Sequence, residues 1–159
     1  MKESTIPVYE EPIEYCKLDW FGGNKDGVAI YEFFRQLSHT WDDLVDKDVD
    51  VPADAVNEVF KIALVYLPAN RLYQSLLPQI LPMWIPVIAA YETANKYEKD
   101  KDPHGIEISH SLRYAAGHII AYIITVCVGA EKAKEYLPEM WKGIFYERFD
   151  DYRQEHLNV

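Results

Sequence analysis

Apolar residues recur at helical spacing from Val28 to about Lys47. On a helical projection six of them fall within an arc of about 100°, and these are Ile30, Phe33, Phe34, Leu37, Trp41 and Leu44. Polar residues occupy the opposite arc. An apolar stripe that repeats every 3.6 residues predicts an amphipathic helix over this segment.

Helical spacing resumes after an acidic break that contains a proline. Asp54 is a suitable N-cap for a helix that runs to about Tyr66, and Pro68 interrupts the pattern there. Residues 71–98 are again helical in pattern. They contain three prolines spaced four apart, which predict a kink or a division into short turns, and these are Pro78, Pro82 and Pro86.

The second half of the chain predicts two more helical segments. Residues 106–128 form a long central helix, and Gly129 follows it in the position that favours a left-handed C-cap. Residues 130–157 are also helical in pattern. Pro138 lies inside this last segment, and we expect it to begin a second helix at its first turn.

The sequence predicts an all-α protein, because no strand-like alternation of useful length follows residue 20. Residues 1–20 carry Pro7 and Pro12 among mixed polar and apolar residues, so we expect an extended N-terminal arm. The glycine-rich residues 21–27 lack the order of a phosphate-binding loop and predict a turn. We therefore expect one helical domain over residues 21–159, a bundle of five or six helices.

Charge and hydropathy limit the partners. The chain has 26 acidic and 16 basic residues, a formal charge of −10, and no basic cluster. It repels phosphate backbones, so we expect no nucleic-acid partner. The N-terminus lacks the apolar segment of a secretory signal, which favours a cytoplasmic location. The apolar runs at 76–91 and 114–128 are shorter than the about 20 residues that span a bilayer. We expect no membrane partner and assign both runs to the buried core.

An acidic face on the first predicted helix is the main candidate site. His39, Asp42, Asp43 and Asp46 stand at i, i+3, i+4 and i+7, so they share one side of the helix. This side lies opposite the apolar stripe, which favours a solvated surface. Two alternatives stay open. The carboxylates could form ion pairs with an arginine, or the three aspartates and His39 could bind Mg²⁺ or Mn²⁺.

A second polar stripe, His110, Arg113 and His118, follows the predicted central helix. A buried guanidinium needs a partner, so Arg113 must reach solvent or meet a carboxylate. If the two stripes face each other, they form a structural network of ion pairs or a pocket. The candidate catalytic residues of such a pocket are His39, Arg113 and His118. A third set of helically spaced polar residues could add ligands to the site, but it runs into a charged loop, which favours solvation, and it comprises Glu92, Asn95 and Glu98.

Two resemblances arise at these residues. The run His-Thr-Trp-Asp-Asp-Leu-Val-Asp-Lys-Asp at 39–48 resembles one in short bacteriophage and prophage proteins, which implies a viral accessory or morphogenesis role.

The same aspartates are similar to the first aspartate-rich motif of the all-α isoprenoid diphosphate synthases, and residues 143–152 resemble the run around their second motif. In that family the aspartates bind magnesium that holds an allylic diphosphate. The resemblance implies Asp42, Asp46 and Asp150 as ligands.

The sequence thus predicts two possible functions. The first is a non-catalytic soluble binding or accessory protein that forms a homo-oligomer or binds a protein partner, which the 12 Tyr and 4 Trp favour. The second is a magnesium-dependent helical enzyme that acts on a diphosphate or nucleotide. In it Asp42, Asp43 and Asp46 bind the metal. His39 is a ligand or general base, and Arg113 holds phosphate.

Overall fold

The computed structural model describes residues 14–158, which are helical and contain no strand. The helices are α1 Glu14–Trp20, α2 Lys25–Asp46, α3 Ala53–Lys61, α4 Leu67–Ala69, α5 Arg71–Asp100, α6 Pro103–Leu112, α7 Gly117–Val128, α8 Ala130–Ile144 and α9 Phe149–Leu157. A π-helical segment, Ile62–Tyr66, joins α3 and α4 into one rod. That rod and α2, α5, α6, α7 and α8 are the six long elements of the described chain, with α1 and α9 beside them. The predicted all-α bundle is confirmed.

The core lies between α2, α5, α7 and α8. Its members include Ile30 and Phe34 of α2, Ile80 of α5, Ile123 of α7 and Met140 of α8, all almost completely buried. The apolar spacing predicted from the sequence accounts for the first half of α2, where these side chains point inward. Besides these contacts, α6 packs along α5, and α9 packs on α6.

The predicted extended arm is wrong for its last residues, because Glu14–Trp20 forms helix α1. Trp20 is buried and meets the Tyr31 ring edge-on at 5.9 Å between centroids. Lys17 lies over the same ring at 4.6 Å and forms an ion pair with Glu32 at 2.5 Å. Burial of the tryptophan against α2 stabilises this turn of helix. Residues 1–13 of the predicted arm lie outside the described residues.

The predicted central helix is divided in two. Residues 113–116 form a turn in which hydrogen bonds run from i to i+3, for example from the Gly117 N–H to the Tyr114 carbonyl at 2.9 Å. Gly117 begins α7, and a side chain there would collide with the Trp141 ring.

Pro138 was expected to begin a new helix, but it lies inside α8, and the helical structure is interrupted at residues 145–148 instead. Because Pro138 is exposed, water can reach the carbonyl that it leaves without a donor.

The helix ends follow ordinary capping chemistry. Asn70 accepts a hydrogen bond from the Tyr73 N–H at 2.9 Å, and its amide donates to the Asp26 carbonyl at 3.0 Å, which ties α5 to α2. The N-cap of α3 is Pro52 rather than Asp54, which lies in the first turn. Gly129 ends α7 as predicted, but with φ +84° and ψ 157°, a backbone conformation that favours glycine and lies outside the left-handed helical region expected for it.

Helix α5 runs unbroken through its three prolines. Two segments, Arg71–Asp100 and Pro103–Val128, are long and apolar enough to cross a membrane, and the share of their apolar windows buried in the protein is 22% and 28%. The assignment of the first run to the buried core is therefore wrong for one side of α5. Leu81 and Ile85 are 60% and 74% exposed there. Helices α2 and α6 pack on other sides of α5, which leaves this one open.

Candidate functional site

On the acidic face of α2, Asp42 turns towards the bundle and meets Arg113, which follows α6. The Arg113 Nη2 atom donates to both carboxylate oxygens of Asp42 at 2.6 Å, and it lies 3.4 Å from Asp46 Oδ2. The Tyr91 hydroxyl donates to Asp42 Oδ1 at 2.8 Å. The favoured interpretation, a solvated surface, is thus wrong for Asp42, whereas His39 and Asp46 are exposed residues, as it expects. Ion pairing with Arg113 is the arrangement that the structure contains.

Glu98 of α5 supplies a third carboxylate, with its Oε1 atom 3.5 Å from Arg113 Nη1. Its side chain is only 8% exposed, so its expected solvation is wrong. The buried Tyr152 hydroxyl donates to Glu98 and also lies 2.6 Å from the Ser109 hydroxyl. We call the joined set the Arg113 cluster, and its members are Asp42, Asp46, Tyr91, Glu98, Arg113 and Tyr152.

The C-terminal part of α2 reverses the polarity expected from its pattern. Leu44 and Val45 are 44% and 41% exposed, whereas the Asp42 side chain is 26% exposed. The Trp41 ring packs against the Tyr91 ring at a tilt of 41°, with 4.2 Å between centroids, and this contact holds the adjacent Asp42 towards α5 and α6. The prediction that Leu44 belongs to the buried stripe is wrong, because the ion pair and the ring contact decide how this end of α2 faces the bundle.

Negative charge exceeds positive charge in the Arg113 cluster. Burial acts to lower the pKa of Arg113, but the carboxylates of Asp42, Glu98 and Asp46 together outweigh it, so the net pKa is raised. Burial is the largest cause that raises the pKa of Asp46 to about 6, and the negative charge of Asp42 is the next largest. The positive charge of Arg113 acts in the opposite direction. Burial and the bond to Asp42 also raise the pKa of the Tyr91 hydroxyl. The guanidinium therefore stays charged, and Asp46 is the carboxylate whose ionisation is resisted.

The raised pKa of Asp46 predicts a pH dependence of stability. The folded protein holds this proton more tightly than the unfolded chain, so stability contributed by the protonated form is lost as pH rises from about 4 to about 6. Asp46→Asn should therefore match the wild type below this window and be more stable above it, by about 1 kcal/mol after allowance for solvent screening. Urea unfolding across the pH range measures the difference. Asp50→Asn, at an exposed loop carboxylate, is the control and should show no such step.

A half-open cavity of about 470 Å³ lies along α2, and α3, α5, the turn at 113–116, α7 and the end of α8 form its other walls. We call it the α2 cavity. Apolar and aromatic side chains dominate the lining, with Phe34 and Trp84 towards one end of α2 and Tyr146 towards the other. Asp42 and Arg113 reach the wall beside Tyr146. The structure thus joins an apolar chamber to the Arg113 cluster.

The three histidine candidates go to different places. His39 lines the α2 cavity, with its ring 5.3 Å from the Tyr146 ring. Loss of hydration lowers the pKa of His39 most, and the positive charge of Arg35 lowers it further. His110 is buried, and its Nε2 atom lies 3.0 Å from the Glu147 carbonyl oxygen. His118 is exposed against Trp141 and does not line the cavity. Because the chain turns at 113–116, the predicted stripe is divided and Arg113 alone enters the cluster.

The carboxylates of α2 are arranged around a guanidinium. Within residues 14–158, no three His, Cys, Asp or Glu side chains are arranged to hold a metal ion. Asp150, a ligand implied by the isoprenoid resemblance, is exposed in the first turn of α9. Asp43 lies beside the cluster. Burial raises its pKa most, and the negative charges of Asp48 and Asp42 raise it further. In this arrangement Arg113 donates to both carboxylate oxygens of Asp42.

The sequence pattern did not identify Tyr91, and it favoured solvation of Glu98 on the same face of α5. Tyr91 and Glu98 are seven positions apart, a spacing that places both on the same side of a helix. The sequence offered one signal for this pair, which is the seven-residue spacing in a chain that also has an acidic helix and an arginine in need of a partner.

No protein-family model, curated protein or solved structure matches the chain.

Proposed function

We propose that this protein acts by binding a small, largely apolar molecule in the α2 cavity. The observation that carries the proposal is the cavity itself, which at about 470 Å³ has the size of a small-molecule site and an aromatic lining with few polar groups. This refines the binding function predicted from the sequence. It differs in the partner, which is a small molecule rather than a protein.

The polar groups of the cavity favour binding over catalysis. Nucleophilic catalysis needs a nucleophile within hydrogen-bond reach of a base. Ser38 and His39 both line the cavity, yet no hydrogen bond joins them in the described structure. Asp42 accepts hydrogen bonds from Arg113 and Tyr91, so its carboxylate already has structural partners. The magnesium-dependent enzyme therefore remains the weaker proposal.

An uncharged fluorescent probe tests the binding proposal. N-phenyl-1-naphthylamine should brighten when it enters the α2 cavity, and Ile88→Trp, which adds volume to the lining, should weaken its binding about tenfold. Ile88 lines the cavity and is 42% exposed, so the larger side chain has room to fold. Ile85→Trp is the matched control on the same helix, because Ile85 does not line the cavity. Equal affinity in the two variants would place the probe on the surface and contradict the proposal.

A second candidate function, self-association, is favoured by the open side of α5. Leu77, Leu81, Ile85 and Ile88 follow at intervals of four, four and three, so they form one apolar strip along the helix. Their exposed fractions are 38%, 60%, 74% and 42%. Monomeric proteins rarely expose an apolar strip of this length, and such a strip typically marks an interaction site. We call it the α5 strip.

A second copy of the chain is the partner that suits the α5 strip. The prolines at 78, 82 and 86 carry no N–H, so the carbonyls one turn before them have no helical donor. In hydrocarbon such carbonyls would be unsatisfied, whereas a protein interface admits bridging water. The formal charge of −10 also repels anionic lipid. These two features favour a protein surface over a bilayer.

A further inference from the structure

The Arg113 cluster gives the α2 cavity a negative end. One guanidinium meets the carboxylates of Asp42, Asp46 and Glu98, at 2.6, 3.4 and 3.5 Å. Of these three carboxylates, Asp42 is the one that lines the cavity. Its two oxygens accept three hydrogen bonds, two from Arg113 and one from Tyr91, and a carboxylate can accept about four. Oδ2 therefore keeps capacity for another positive group.

Other charged groups around the cavity do not reverse this sign. Arg35 lines the cavity too, but its Nε atom lies 3.0 Å from Glu32 and its side chain is 51% exposed. His39 carries less positive charge at neutral pH because its pKa is lowered. Asp43 and Glu147 lie close enough to the cluster to add negative charge. An anionic molecule would thus meet carboxylates that already outnumber the cation nearest to them.

Aromatic rings surround the negative end. Trp41 packs at a tilt against Tyr91, the residue that donates to Asp42. Tyr114 and Tyr146 line the cavity beside Arg113, with 6.0 Å between their ring centroids, and the Asp42 charge contributes to the raised pKa of Tyr146. Rings grouped at a carboxylate are the environment that stabilises an alkylammonium group, through the negative faces of the rings and the charge beneath them.

We infer that the α2 cavity takes an organic cation, an apolar amine or quaternary ammonium whose charged group lies at Asp42 and whose apolar part fills the chamber towards Trp84. This inference rests on the proposed small-molecule function and adds the chemical class of the ligand. The apolar chamber selects the ligand by its shape, and Asp42 selects it by its charge.

Three probes that share a benzyl group separate charge from shape. Benzyltrimethylammonium carries the cation, neopentylbenzene has the same shape without charge, and benzylphosphonate is an anion. Calorimetric titration of the full chain should give binding of the cation about tenfold or more tighter than that of neopentylbenzene, with benzylphosphonate weakest. Asp42→Asn keeps the shape and the acceptor for Tyr91 but removes the charge, so it should abolish the preference. Asp43→Asn, one position along and outside the cavity lining, should retain it.

Each outcome decides one claim. If neopentylbenzene binds as tightly as the cation in the wild type, the cation inference is overturned while the cavity proposal stands. If neither compound binds, the cavity proposal falls as well. If Asp42→Asn and Asp43→Asn weaken the cation equally, the effect is that of net charge, and Asp42 is not its site. The wild-type comparison requires no variant to fold, and circular dichroism verifies the folding of both variants.

Discussion

Arg113→Met is expected to lower the free energy of unfolding by about 3–5 kcal/mol, because it leaves partly buried carboxylates without their cation. The Arg113 side chain is 13% exposed and meets three carboxylates, of which Glu98 is 8% exposed. Methionine preserves the apolar stem but none of the donors. The guanidinium also lies over the Tyr152 ring at 5.4 Å, a contact that the variant loses. Urea unfolding at neutral pH measures the change.

Arg35→Met is the matched control, since it removes the same side chain from an exposed pair. Arg35 is 51% exposed and its partner Glu32 is also held by Lys17, so we expect a loss of less than about 1 kcal/mol. The loss in Arg113→Met should also shrink from about pH 7 to about pH 4, because protonated carboxylates need no counter-charge. A loss no larger than that of Arg35→Met, with no dependence on pH, would show that the cluster does not stabilise the fold.

The sequence limits Arg113 to two outcomes, contact with solvent or with a carboxylate, since a guanidinium on an apolar helix must be partnered. It could not predict that His118 lies elsewhere. That result depends on the turn at 113–116, where Gly117 admits the Trp141 ring. The turn changes the direction of every later side chain, so residues predicted on one face separate. A close approach between distant segments leaves little trace in local spacing.

The helices themselves were predictable where one side of each is buried. In the first half of α2, Ile30 and Phe34 are buried as the 3.6-residue period requires. At its other end, Asp42 turns inward while Leu44 is 44% exposed, because the ion pair with Arg113 and the contact of Trp41 with Tyr91 hold that end. Periodicity assigns a face to each residue, but only the packed neighbours decide which face is inside.

The α2 cavity lies beyond sequence reasoning for a related reason. Its lining comes from α2, α3, α5, the turn at 113–116, α7 and the end of α8, and includes Trp84 and Ile120, which are more than 30 positions apart. Each of these residues fits an ordinary core pattern. A cavity arises where side chains from several helices fail to fill the space between them, which depends on helix placement rather than on any one segment. The acidic residues at its end were visible, but the chamber was not.

Self-association through the α5 strip should be abolished by Ile85→Glu. Ile85 is 74% exposed, so glutamate is tolerated in the free chain, whereas an interface would bury its charge. A symmetric dimer would contain two copies of the substituted residue at its interface, so we expect the dissociation constant to rise at least about a hundredfold. Size-exclusion chromatography with light scattering should then give the mass of a dimer for the wild type and of a monomer for the variant.

Val49→Glu is the control for self-association, because it places the same charge on a residue that is 53% exposed in the loop after α2. It should leave the dimer intact, and thermal unfolding should show that both variants fold. A wild type that stays monomeric at high micromolar concentration would rule out a second copy as the partner. If that monomer sedimented with phosphatidylcholine vesicles and Ile85→Glu released it, the α5 strip would be a lipid-binding surface. The carbonyls that precede the three prolines argue for the dimer, since lipid leaves them without a donor.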